Sequence, residues 1–252
     1  MYKSRRAQAR RKQLLIGGIV AAVLLGALTM TVVALSSSDS EASKASGCAI
    51  LDVSESTRQS RGVYTEEFAQ FATDIGNDGS GDICVVLAAS DPLAEAVPLE
   101  TSVAPLPANV GTPEAPGEIE EGVLRTTKEV AGIFEHPGID EKGSGLLEAA
   151  NVAAKRLHPG DRLVYLSDGL QWSKGVGHLI KMDLSPAGIE RLIAHLREES
   201  LLPSLRGVHV EFPLMLYRPE GIEATPAQKN RIPAFWEAWA RATGADLNFV
   251  LH

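Results

Sequence analysis

Asp52, Ser54 and Ser56 occupy alternate positions in "ILDVSEST", residues 50–57, directly after an apolar run. A carboxylate and two hydroxyls at that spacing supply hard oxygen donors, the kind Mg²⁺ prefers, and Mg²⁺ keeps part of its own hydration shell. One loop does not complete such a site, so further oxygens must come from neighbouring segments. Asp168 in "YLSDGL" also follows an apolar run, and Ser144 in "KGSGLLEAA" stands where a helix begins. Each residue has a plainer reading as well. Asp52 and Ser54 suit a helix cap or a turn, and Asp168-Gly169 suits a turn dipeptide. Ser144 suits a helix N-cap, a role compatible with ligation.

The elements that must position these residues alternate from Cys48 onward between short apolar runs and amphipathic stretches. "CAILDV" reads as a strand, followed by a helix over Thr65–Ile75 with Phe68, Phe71, Ala72 and Ile75 on one face. "GNDGSGD" is a turn cluster, "ICVVLAAS" a strand buried on both faces, and "AVPLETS" a short edge strand where Pro98 is tolerable. After a proline-rich loop come helices over Ile119–Phe134 and Ser144–Leu157, then the strand "RLVYLSDG". A helix over Pro186–Glu199 has Ser185 placed to cap it. "GVHVEFPLML", a helix over Pro226–Thr243 and "LNFVL" complete the order β-α-β-β-α-α-β-α-β-α-β. That order predicts an α/β fold, a doubly wound and mostly parallel sheet with one antiparallel edge strand. Ligands of such sheets bind outside the carboxyl ends of the strands, where Asp52 and Asp168 fall.

At this point the chain resembles the von Willebrand factor A (vWA) domain family, whose metal-ion-dependent adhesion site (MIDAS) runs Asp-x-Ser-x-Ser, then Thr, then Asp. Asp52, Ser54 and Ser56 match the first element, and Asp168 with Gly169 matches the last. The middle element departs from it, with Gly143-Ser144 where the family has Thr; serine keeps the hydroxyl. The resemblance spans Cys48 to His252. It implies a divalent cation, Mg²⁺ or else Mn²⁺ or Ca²⁺. Ser54 and Ser56 would bind it directly, Asp52 and Asp168 mostly through waters, and Ser144 directly or through water. It further implies an open coordination position filled by an acidic side chain of a protein partner, hence adhesion or assembly rather than catalysis. A scaffold of the same fold with a vestigial or metal-independent site is the alternative.

Enzymatic readings fare worse. The phosphatase-like Asp-x-Asp would need an acid at position 54, which is serine, so the proton donor is missing. Gly143-Ser144-Gly145 is not a nucleophile elbow, the six histidines show no zinc spacing, and no phosphate-binding glycine loop opens a helix. The loop "QWSKGVGHLIK" after Asp168 carries Trp172, Lys174 and His178. It reads either as recognition of an acidic partner beside the metal or as a Trp packed under its own loop with a solvated Lys.

At the front, residues 14–35 form a 22-residue run without a charge. As a helix it would measure about 33 Å, enough to cross a bilayer. Residues 1–13 carry Lys3, Arg5, Arg6, Arg10, Arg11 and Lys12 and no acid, which keeps the N-terminus cytoplasmic and sends the rest outside. An uncleaved single-pass anchor is therefore expected, since the run exceeds a signal-peptide core. Gly18, Ala22 and Gly26 would make a smooth stripe, which suits weak self-association or simply the usual richness of membrane helices in small residues. Residues 36–47, "SSSDSEASKASG", read as a flexible tether to a domain over 48–252. Beyond the basic leader the chain holds 18 basic against 32 acidic residues, which repels phosphate backbones and argues against nucleic acid. Cys48 and Cys84 either pair in an oxidising compartment or fill core space as thiols.

Overall fold

The computed structural model describes residues 47–78, 81–89, 99–103, 111–135, 143–217 and 226–251. The expected basic segment and membrane helix, and all of the tether except Gly47, lie outside them. Among the described residues no helix is long and apolar enough to cross a membrane.

The strands are β1 (Gly47–Asp52), β2 (Asp82–Ala88), β3 (Leu99–Ser102), β4 (Arg162–Leu166), the two-residue β5 (Trp172–Ser173) and β6 (Gly177–His178), β7 (His209–Met215) and β8 (Asp246–Leu251). The helices are α1 (Arg61–Asn77), α2 (Ala115–Glu135), α3 (Leu146–Ala153), α4 (Pro186–Glu198) and α5 (Pro226–Thr243). Six strands form one sheet in the order β3-β2-β1-β4-β7-β8, with only β3 antiparallel to its neighbour. The expected mostly parallel α/β sheet with an antiparallel edge is therefore present. The hairpin of β5 and β6 stands apart from it and has no counterpart in the expected order.

Alternation along β1 divides the core. Cys48 and Ile50 face one layer with Tyr165, Phe212, Trp236 and Trp239, covered by α3, α4 and α5. Ala49 and Leu51 face the other, with Tyr64, Phe68 and Phe71 of α1 and Val130 and Phe134 of α2. All six residues of β1 are buried, as a central parallel strand requires. Cys48 and Cys84 are partners in the β1–β2 register and form a disulfide, which settles the alternative left open above. Closing a loop with a sequence separation of 36 stabilises the fold by about 3–4 kcal/mol in the chain-entropy account.

Several element ends differ from expectation. A 3₁₀ segment over Glu55–Ser60 precedes α1, so the chain turns helical ten residues before Thr65. α3 spans only Leu146–Ala153, ending short of Leu157. Ser185 does cap α4, accepting from the Gly188 amide at 3.2 Å, with Pro186 at the first position.

Candidate metal centre

The sheet order reverses direction between β1 and β4. From β1 the chain builds β2 and β3 on one side, then crosses to place β4 on the other. The crevice outside the carboxyl ends of those two strands is where a doubly wound sheet takes ligands. Leu51 of β1 pairs with Leu166 of β4, so the residues that follow, Asp52 and Ser167, meet at the rim.

Asp52 is buried and its two carboxylate oxygens are both engaged. Oδ1 accepts from the Ser54 amide at 3.1 Å and Oδ2 from the Ser167 hydroxyl at 2.7 Å. Burial nevertheless pushes the Asp52 carboxyl above its ordinary range, against the pull of Ser167, Ser54 and Ser144. Among the described residues no cation forms an ion pair with that carboxylate. Asp168, also buried, uses Oδ1 to accept from the Leu170 amide at 3.0 Å, while its carbonyl accepts from Leu216. The hydroxyl of Tyr64, rising from α1, is buried near the Ser60 side chain and the Asp168 backbone. Its acidity is suppressed first by burial and then by the charges of Asp52 and Asp168.

The hydroxyls complete the arrangement. Ser54 stands at the N-cap position of the 3₁₀ segment, yet its side chain caps nothing. Its Oγ lies 3.1 Å from the Oγ of exposed Ser56. Adjacent oxygens of a Mg²⁺ octahedron with 2.0–2.1 Å bonds are about 2.9–3.0 Å apart, so this pair has the span of one octahedral edge. Thr57 locks the loop by donating to the carbonyls of Asp52 and Ser54, both at 2.9 Å. Arg61 donates to the Val53 carbonyl at 3.1 Å from behind.

Ser144 is not the helix N-cap that its position suggests. Gly145 holds that place, and the backbone of Ser144 is drawn into an extended bridge with Trp172, amide to carbonyl at 2.7 and 2.9 Å. The helix amide at Leu147 is satisfied instead by Gln171 Oε1 at 3.0 Å, a cap from 24 residues away. The Ser144 hydroxyl is thus left buried with no partner at full hydrogen-bond geometry, and its pull on the Asp52 carboxylate is the smallest of those acting there. An orphaned buried hydroxyl costs about 1–3 kcal/mol, and such groups call for an explanation. A bound cation is the kind of partner that would satisfy it.

Contacts thus join Asp52 to Ser54, Ser54 to Ser56 and Asp52 to Ser144, while Asp168 follows Ser167, which bonds Asp52. Oxygen donors of these types would suit a hard divalent cation. Two acids are present rather than a carboxylate cluster: among the described residues no group of three or more His, Cys, Asp or Glu side chains converges to hold an ion. Any cation here would rest mainly on hydroxyls and water.

Supporting residues escaped the sequence reading. Ser167, besides holding Asp52, accepts from the Gly169 amide at 3.1 Å. Gly169 itself has φ +79° and its carbonyl accepts from Trp236 Nε1 at 2.9 Å. A Cβ there would meet Met215 Sδ at 2.6 Å, so both the backbone and the packing require glycine. Behind Ser144, buried Glu148 accepts from Gln171 Nε2 at 3.0 Å and from the Ser173 hydroxyl, and Ser173 in turn accepts from Val176. This network ties the β5–β6 hairpin to the start of α3.

No family model matches the chain, and no curated protein matches its sequence. Among solved structures, the chain is similar to the pilus adhesin SpaC from Lactobacillus rhamnosus GG in its open conformation, at 11% identity and a TM-score of 0.43. The similarity covers 82% of this chain and 28% of the adhesin, and at that score it carries no argument about function.

Proposed function

We propose that this chain is a membrane-tethered, extracytoplasmic vWA-type domain that binds a divalent cation, Mg²⁺ or else Mn²⁺ or Ca²⁺, at a MIDAS. Through that cation it engages an acidic side chain of a protein partner, in adhesion or assembly rather than catalysis. Ser54 and Ser56 supply direct oxygens, Ser144 a third, and Asp52 and Asp168 hold coordinated waters. The observation that carries the reading is the Ser144 hydroxyl, buried beside Asp52 with no partner at full hydrogen-bond geometry. Engagement of both Asp52 oxygens by protein donors supports a water-mediated role for that residue. The buried disulfide supports an oxidising compartment, as an outward-facing domain would occupy. The 22-residue apolar run with its basic flank supports the anchor.

A cation at 100 times its Kd stabilises the fold that binds it by about 2.7 kcal/mol, or about 5–10 °C in Tm for a domain of this size. Mg²⁺ should raise the Tm, EDTA should reverse the rise, and Asp52→Ala should abolish the response. A Tm indifferent to both Mg²⁺ and EDTA would refute the metal centre. The self-contained hydrogen bonding of Asp52 also suits a scaffold of the same fold that works without metal. A partner pull-down that survives chelation would favour that reading.

A further inference from the structure

The β5–β6 hairpin presents an aromatic surface at the edge of the crevice. Trp172 and His178 are directly paired across the two strands, and their rings stack at 5.5 Å with an interplanar angle of 22°. Trp172 remains 46% exposed, and the neighbouring Ile180 is 38% exposed. Tryptophan is the side chain most often found as an interface anchor, and here the stack on His178 fixes its ring before any partner arrives. The Trp172 backbone bridges Ser144, so this surface and the metal centre share a strand pair.

The exposed charges of the hairpin and of the turn after it are two lysines, above the buried carboxylate of Glu148. Lys174 in the hairpin turn and Lys181 just after β6 are exposed and form no ion pair with any described residue. Lys181 lies near enough to disfavour protonation of His178, after burial as the first cause. The acid nearest Lys181 in sequence, Asp183, is already paired with Arg191 at 2.7 Å. A basic, aromatic patch on a domain with a large acidic excess selects a partner of matching chemistry.

We propose that the Trp172–His178 hairpin selects the partner of the metal centre. Its occupant is an extended acidic segment of another protein: one carboxylate completes the cation, an adjacent apolar side chain lies on Trp172, and a second carboxylate meets Lys174 and Lys181. This rests on the cation-bridged reading above and adds what the partner must carry beside its ligating acid. The Glu148–Gln171–Ser173 network holds the hairpin in place, so the surface is formed before binding.

The test is selection of a phage-displayed random nonapeptide library on the full chain in nanodiscs with Mg²⁺, followed by affinity measurements on the enriched peptides. Peptides with one acid next to an apolar residue and a second acid nearby should dominate. Trp172→Ala and Lys174→Glu should each weaken them by about tenfold or more, while Trp172→Phe keeps binding and Lys174→Glu still binds Mn²⁺. Enrichment of peptides without acids would overturn the proposal, as would hairpin variants within about twofold of wild type. If the hairpin variants bind normally but Asp52→Ala does not, the hairpin falls and the cation bridge stands. If hairpin variants fail while EDTA and Asp52→Ala have no effect, the cation bridge falls, and the proposal in its stated form falls with it.

Discussion

The two rims of the crevice are built in opposite ways. On the β1 side, Asp52, Ser54, Ser56 and Thr57 hold one another through hydrogen bonds spanning two to five residues. On the other side, Ser144 is placed by Trp172, the α3 amide at Leu147 by Gln171, and the hairpin by Glu148, across separations of 23 to 28 residues. The first rim is a local turn that would survive much change elsewhere. The second is assembled only when α3, the hairpin and the end of β4 are all in place, so its stability is that of the tertiary fold.

Cutting the assembled rim should therefore have the largest effect. Glu148→Ala leaves one Gln171 amide hydrogen and the Ser173 hydroxyl hydrogen without their acceptor in a buried place, each at a cost of about 1–3 kcal/mol. Urea denaturation should show a loss of about 3 kcal/mol, with Trp172 fluorescence shifted as the hairpin loosens. A loss below about 0.5 kcal/mol, the range of ordinary surface substitutions, would mean that the network does not hold the rim.

The local rim should respond less in stability and more in metal affinity. Thr57→Val removes one hydroxyl shared between two carbonyls and should cost about 1 kcal/mol. Mn²⁺ affinity should fall as the Ser54–Ser56 edge loses its support. Unchanged Mn²⁺ affinity would show that the turn needs no lock.

The smallest effect should come from pH. The neutral form of His178 is favoured in the fold, first by burial and then by Lys181. A histidine with a lowered folded pKa contributes stability that is complete above its unfolded value, near 6.5, and is lost as pH falls below it. Trp172 fluorescence should be constant above neutrality and change on acidification toward pH 5. His178→Gln should remove that change, and a persisting transition would assign it to another group.

The same contrast explains what the sequence made legible. The five parallel strands and the edge strand were readable because short apolar runs alternate with amphipathic stretches, and that patterning is local. Asp52, Ser54 and Ser56 were readable for the same reason. Ser144 was found as a candidate ligand with a helix cap as the alternative, and the cap fails because its bridge to Trp172 pulls the backbone extended just before α3. Ser167 was missed since its bond to Asp52 depends on the β1–β4 register. Two-residue strands are too short to show any period, which hid the hairpin. The role of Gly169 needed Trp236 from α5, 67 residues away.

The central claim is that the oxygens of the candidate metal centre hold one divalent cation, and Mn²⁺ titration followed by electron paramagnetic resonance tests it most directly. The account predicts one Mn²⁺ per chain, displaced by Mg²⁺ and lost in the Ser54→Ala/Ser56→Ala variant while the fold persists. No bound Mn²⁺, or binding unchanged in that variant, would contradict it.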